Sequence, residues 1–66
     1  MIELIGTNAG LVWHALNEGG KLSVKDVKKA TKIKSEKDIY AAFGWLSKEG
    51  KVGFEEVEGE LTVFLL

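Results

Sequence analysis

The side chains that could support catalysis are few, and their positions suit it poorly. The chain contains one histidine, His14, and no cysteine. Nucleophilic catalysis needs a serine or cysteine beside a positioned base, whereas His14 falls in the middle of an apolar helical pattern. We interpret it as a surface or rim histidine. The sequence therefore predicts a protein that is not an enzyme.

Four carboxylates near the C-terminus are the remaining candidates for acid–base chemistry or cation binding: Glu55, Glu56, Glu58 and Glu60. Glu55 and Glu56 are neighbours in a predicted strand, where successive side chains point to opposite faces. No segment has the spacing of aspartates that a calcium-binding loop requires. We interpret the four glutamates as solvated charges at the edge of a sheet, and we expect no metal, no cofactor and no small-molecule ligand.

Lysines are the charged residues with a functional implication, because they concentrate in one segment. From Lys21 to Lys37 there are seven lysines against Asp26 and Glu36, whereas residues 52–66 hold four glutamates and no base. The net charge of −1 gives no overall indication of nucleic-acid binding. A lysine-rich segment can still contact phosphates, which gives affinity without sequence information.

The first element that the sequence predicts is a helix from about Glu3 to Glu18. Its apolar residues recur at spacings of three and four, and Trp13 widens the stripe that they form. The stripe consists of Ile2, Ile5, Ala9, Val12 and Leu16. A later start at Thr7 or Asn8, both good N-caps, remains open. The pair Gly19-Gly20 is expected to end the helix.

A second helix is predicted after a short extended piece at Lys21-Leu22. The pattern Ser23-Val24-Lys25-Asp26 is typical of a capping box, with Asp26 in place of the usual glutamate. The helix should end near Thr31, and its inward positions are Val24, Val27 and Ala30.

A third helix follows the tight connection Lys32-Ile33-Lys34, in which Ile33 is the buried anchor. Ser35 lies three residues before Asp38, which repeats the capping pattern. We predict that this helix runs to Glu49 and stops at Gly50. Its buried face should consist of Ile39, Ala42, Phe43 and Leu46.

A hairpin closes the chain, with strands at Val52–Glu56 and Glu60–Leu65 and a turn at Glu58-Gly59. Leu61, Val63 and Leu65 alternate onto one face, and Thr62, Phe64 and Leu66 onto the other. This alternation disfavours a three-helix bundle with a frayed tail. The predicted fold is α+β: a winged helix-turn-helix with three helices, a C-terminal β-hairpin wing and a short third strand near Leu22. Residues 1–66 should form one domain.

Two segments resemble a known family. The run from Ala42 to Val52, AFGWLSKEGKV, resembles the third helix and the start of the wing in a small bacterial winged helix-turn-helix family of uncharacterised function. The run from Asn8 to Trp13, NAGLVW, resembles the first helix of that family. The resemblance implies the fold. It implies function only by analogy, because winged helices serve transcription factors, interaction modules and dimerisation domains alike.

DNA contact is one function that the sequence leaves open. In helix-turn-helix proteins the second helix of the motif enters the major groove, but this one lacks the arginine, asparagine and glutamine that read bases best. Non-specific or weak binding through phosphates remains, whereas the acidic wing would be repelled. The candidate DNA-contacting residues are Lys25, Lys28, Lys29, Lys32, Lys34, Lys37, Tyr40 and Lys48.

Protein contact is the alternative, either with a partner or in a homodimer. Trp45 is expected at an exposed position, where it either folds back over the hairpin against Phe54 or anchors an interface. Apolar residues on both faces of the last strand suggest that something covers each face. The candidate interface residues are Gly6, Gly10, Trp13, Trp45, Phe64 and Leu66.

The expected location is the cytoplasm. No stretch approaches the roughly 18 apolar residues of a membrane span. The first residues, Met1 to Ile5, show no basic leader followed by an apolar block, so they do not resemble a signal peptide.

Overall fold

The computed structural model describes residues 2–66, with the exception of the side chain of Ile2. The described residues form helices and strands in the predicted order. These are α1 (Ile2–Gly19), β1 (Leu22–Ser23), α2 (Val24–Thr31), α3 (Glu36–Lys48), β2 (Val52–Val57) and β3 (Glu60–Leu65). The α+β winged helix-turn-helix prediction is confirmed.

Helix α1 has the longer of the two predicted extents. Its apolar stripe faces the core: Ala9, Val12 and Leu16 are buried, and Ile5 is half-buried. The predicted contribution of the Ile2 side chain lies outside the described residues. The helix ends as expected, since Gly20 adopts a positive φ of 76° and donates its N–H to the Leu16 carbonyl at 2.9 Å. Among residues 2–66 no helix is long and apolar enough to cross a membrane.

The two predicted serine caps start α2 and α3. The Ser23 hydroxyl accepts a hydrogen bond from the Asp26 N–H at 3.2 Å. The Ser35 hydroxyl accepts one from the Asp38 N–H at 3.4 Å. Each bond satisfies an amide that the helix leaves unpaired. Helix α3 ends at Lys48, one residue before the predicted end, because Glu49 forms the C-cap.

The three described strands form an antiparallel sheet in the order β1-β3-β2. Val63 lies at its centre, opposite Leu22 of β1 and Phe54 of β2. The turn of the hairpin has positive φ at Glu58 (51°) and at Gly59 (81°), as a two-residue turn that follows the twist of the strands requires. β2 extends to Val57, one residue beyond its predicted end.

The core lies between the helices and one face of the sheet. Its buried apolar residues are Ala9, Val12, Leu16, Val27, Ile39, Ala42, Phe43, Leu46, Val52 and Val63. Two predicted inward positions are wrong. Ala30 is exposed because it lies in the last turn of α2, at an open groove beside α1. Leu61 is exposed because it lies near the tip of the hairpin, opposite Glu56.

Candidate nucleic-acid interface

Seven lysines line the helix-turn-helix, and we call this set the lysine face. They are Lys25, Lys28 and Lys29 of α2, Lys32 and Lys34 of the turn, and Lys37 and Lys48 of α3. All are exposed except Lys28, which is half-buried. Lys32 forms the C-cap of α2 with φ of 62° and donates its N–H to the Lys28 carbonyl, so the turn is tight.

Ion pairing distinguishes the seven lysines of the lysine face from the other two lysines of the chain. Lys21 lies 3.1 Å from a carboxylate oxygen of Glu55. Lys51 lies 3.8 Å from one of Glu49. Within residues 2–66, no lysine of the lysine face forms such a pair. Among the lysines of residues 2–66, those without an ion pair therefore all lie in the helix-turn-helix.

The outward side of α3 has lysines towards its two ends and small residues between them. Lys37 and Lys48 are eleven residues apart, which is about three turns and about 16 Å along the axis. Ala41 and Gly44 lie between them on the same side. A Cβ added at Gly44 would meet nothing within 4 Å. This side of α3 can therefore approach another surface closely.

A groove brings three of the candidate DNA-contacting residues together with acidic ones. Lys25, Lys28 and Tyr40 line it together with Ser23, Val24, Glu36, Glu60 and Leu61. We call it the charged groove. It lies between the start of α2, the start of α3 and the start of β3. The remaining lysines of the face lie outside it, with Lys48 in a separate depression beside Trp45 and Glu49.

Trp45 does not take the expected place against Phe54. Phe54 instead packs edge-on against Phe43 at 5.9 Å between ring centroids, and Phe43 packs against Tyr40 at 6.0 Å. Trp45 lies on the other side of α3, where its ring is 3.9 Å from the position of a Cβ added at Gly6. Helix packing explains the difference, because α1 covers this side of α3.

The candidate protein-interface residues fall into two groups. Gly6, Gly10, Trp13 and Trp45 line one groove between α1 and α3. Phe64 and Leu66 instead lie over Gly53, on the sheet face away from the core. Lys21 also covers Phe64, with its ammonium 5.5 Å from the ring centroid. Phe64 is therefore half-buried within its own chain, whereas Leu66 remains 79% exposed.

The residues considered for catalysis are solvent-facing. His14 is exposed and lies edge-on to Trp13. Of the wing carboxylates, Glu55 pairs with Lys21, and Glu56, Glu58 and Glu60 are exposed. Among the described residues, no group of three or more His, Cys, Asp or Glu is placed to hold a metal ion.

Sequence reasoning missed that Glu36, Glu60 and Leu61 share a groove with the lysines. Glu36 and Glu60 are exposed positions on separate elements, and only the tertiary fold brings them to one groove. The charge pattern marked each segment as acidic or basic but carried no signal for this juxtaposition.

Comparison with known proteins identifies the family. The model of a family described as winged helix-turn-helix domain (DUF2582) matches residues 1–65. This chain belongs to that family. The solution NMR structure of protein BT2368 from the bacterium Bacteroides thetaiotaomicron is 35% identical to it, with a TM-score of 0.85. The match covers 96% of this chain and 76% of that one. No significant match was found among curated proteins.

A second solved structure shares the fold at lower identity. BpsR of Bordetella bronchiseptica has a TM-score of 0.82 and 24% identity, and the match covers 89% of this chain but 43% of BpsR. The DNA binding of BpsR is regulated by 6-hydroxynicotinic acid. The likeness to BpsR shows the fold alone. The winged helix is a fold that commonly binds DNA.

Proposed function

We propose that this domain is a non-catalytic, cytoplasmic module that binds double-stranded DNA through the lysine face, by phosphate contacts with little sequence preference. The observation that carries the proposal is the distribution of ion pairs. The two lysines outside the face are paired with glutamates, whereas the seven within it form no ion pair in the part of the chain that the structure describes. Unpaired lysines that contact phosphates release counterions from DNA, which is the main source of non-specific affinity.

The shape of α3 supports this mode of binding. As the second helix of the motif, α3 is the element that enters the major groove in proteins of this fold. Lys37 and Lys48, about 16 Å apart, are spaced widely enough to reach phosphates on either side of a groove about 12 Å wide. The small residues between them leave room for the DNA backbone or base edges.

Weak sequence preference follows from the composition of α3. Its thirteen residues, EKDIYAAFGWLSK, contain no arginine, asparagine or glutamine. Bidentate base contacts come mainly from those three residue types. Tyr40, which is half exposed, supplies a hydroxyl that can donate to a phosphate. BpsR, which shares the fold, is a DNA-binding protein, and it supports the proposal by analogy only.

Fluorescence anisotropy with two duplexes of unrelated sequence tests the proposal. We expect similar affinities for both, and a slope of log affinity against log salt of about −3 to −6, as for four to six phosphate contacts. Lys32→Gln/Lys34→Gln should weaken binding about tenfold at low salt and make the slope shallower by about 2.

The matched control is Lys21→Gln/Lys51→Gln, which removes the same charge from the two paired lysines. At about 150 mM salt we expect this variant to bind DNA within about twofold of the parent chain, because charges more than about 8 Å from the DNA are then largely screened. Equal losses in both double variants, or affinity that does not respond to salt, would contradict the proposal.

A further inference from the structure

We propose that the charged groove is a self-association site, in which a second copy of this chain binds across a two-fold axis. The groove is open to solvent and lined by residues of both charges. The groove shares Lys25, Lys28 and Tyr40 with the candidate DNA interface. A second copy and DNA would therefore compete for these residues, and self-association is tested without DNA.

The charges of the groove lie on separate elements. Lys25 and Lys28 of α2 form its basic wall, whereas Glu36 at the start of α3 and Glu60 at the start of β3 are acidic. Glu58 lies two residues before Glu60, in the turn of the same hairpin. Within residues 2–66, none of these side chains forms an ion pair in its own chain. Their charges are available to a partner.

Exposed apolar side chains lie between and beside these charges. Tyr40 is 50% exposed and Leu61 is 36% exposed, and both line the groove. Phe54 adds a 42% exposed ring, linked to Tyr40 through Phe43. An apolar centre with a charged rim is the usual organisation of a protein interface.

A second copy satisfies this arrangement by symmetry. An isologous interface requires a patch that is complementary to itself. Because the lysines and glutamates lie on separate elements, a two-fold axis through the groove can bring Lys25 and Lys28 of each copy to the glutamates of the other and bring the apolar residues together. A polyanion such as DNA would meet Glu36 and Glu60 in the groove, and a strongly basic partner would meet Lys25 and Lys28. The self-complementary charge pattern therefore favours another copy of the chain.

Sedimentation of the whole chain without DNA measures the association. We expect a monomer–dimer equilibrium that is visible at about 100 µM protein in low salt and weakens at about 500 mM salt, where exposed charges are screened. A chain that stays monomeric up to about 1 mM in low salt would overturn the proposal.

Charge reversal locates the interface. Lys25→Glu/Lys28→Glu makes the whole groove acidic, and Glu58→Lys/Glu60→Lys makes it mainly basic. Each variant alone should dimerise about tenfold or more weakly, because like charges then face each other across the axis. An equimolar mixture of the two should form a heterodimer, and the chain carrying all four changes should regain self-association.

Lys32→Glu/Lys34→Glu is the matched control, because it makes the same change in net charge outside the groove. At about 150 mM salt, where charges are screened over about 8 Å, its self-association should stay within about twofold of the parent chain. Circular dichroism of each variant confirms that the helices are intact. If the groove variants dimerise as the parent does, or if their mixture forms no heterodimer, the second copy binds elsewhere and the proposal is wrong.

Discussion

The helix-turn-helix and the wing carry opposite charges, and the fold treats those charges differently. In the helix-turn-helix, no lysine of the lysine face forms an ion pair within residues 2–66, and all but Lys28 are exposed. In the wing, Glu55 forms an ion pair with Lys21, and the same lysine also lies over the Phe64 ring. Part of the wing's charge thus serves the packing of the sheet, whereas the charge of the helices faces solvent.

This difference shows why the net charge of −1 is uninformative here. The value is a sum over two surfaces with opposite signs. Electrostatic attraction of a polyanion depends on the local surface rather than on the sum. Under the proposed function the helix-turn-helix attracts DNA and the wing repels it, and this contrast leads to three predictions.

The largest expected effect comes from reversing the charge of the wing tip. Glu58→Lys/Glu60→Lys should tighten DNA binding about tenfold at about 20 mM salt, because repulsion becomes attraction over a long screening length. At about 200 mM salt the gain should shrink to about twofold or less. Anisotropy titrations with nanomolar protein measure both values. Weaker binding by this variant would show that the wing carboxylates assist DNA binding.

A smaller effect is expected from two glycines, one in each region. A Cβ at Gly53 of the wing would lie 2.8 Å from the Phe64 ring, whereas one at Gly44 of α3 would meet nothing within 4 Å. Gly53→Ala should therefore destabilise the domain by about 1 kcal/mol, by displacing the ring. Gly44→Ala should stabilise it by up to about 1 kcal/mol, the difference in helix propensity.

Urea unfolding followed by circular dichroism compares the two glycine variants. Gly44→Ala is the matched control, since both substitutions add one methyl group. If both variants raise or both lower the free energy of unfolding, the packing of the Phe64 ring does not require the absence of a side chain at Gly53.

The smallest effect should come from the ion pair that joins the chain before β1 to the wing. Lys21→Gln should cost less than about 1 kcal/mol, because Lys21 and Glu55 are both exposed and surface pairs contribute little. Glu55→Gln should cost a similar amount, and the double variant should cost no more than the sum. Urea unfolding measures the free energy of unfolding of all three variants. A decrease of about 2 kcal/mol or more would contradict this expectation and show that the ion pair contributes strongly to stability.

Local signals in the sequence predicted most of the fold. Ser23 and Ser35 start helices, and Gly20, Gly50 and Gly59 adopt the positive φ values expected at their stops and turn. Such signals act within a few residues, because a cap or a turn is satisfied by its immediate neighbours.

The candidate site could be predicted only in part, since its arrangement depends on long-range contacts. The lysines were identifiable as a basic segment, but the pairing of Lys21 with Glu55 joins residues 34 positions apart. The place of Trp45 beside Gly6 depends on how α1 packs against α3. The spacing of apolar residues shows which side of a helix is polar. It does not show which other helix or strand packs along the border between the polar and apolar sides.

Acetylation footprinting of the lysines tests the central claim most directly. A short pulse of an acetylating reagent on micromolar protein in low salt, with and without duplex DNA, gives a protection value for each of the nine lysines by mass spectrometry. We predict that DNA protects Lys29, Lys32, Lys34, Lys37 and Lys48, and that it leaves Lys21 and Lys51 unprotected. Protection spread evenly over all nine lysines, or strongest at Lys21 and Lys51, would contradict the account.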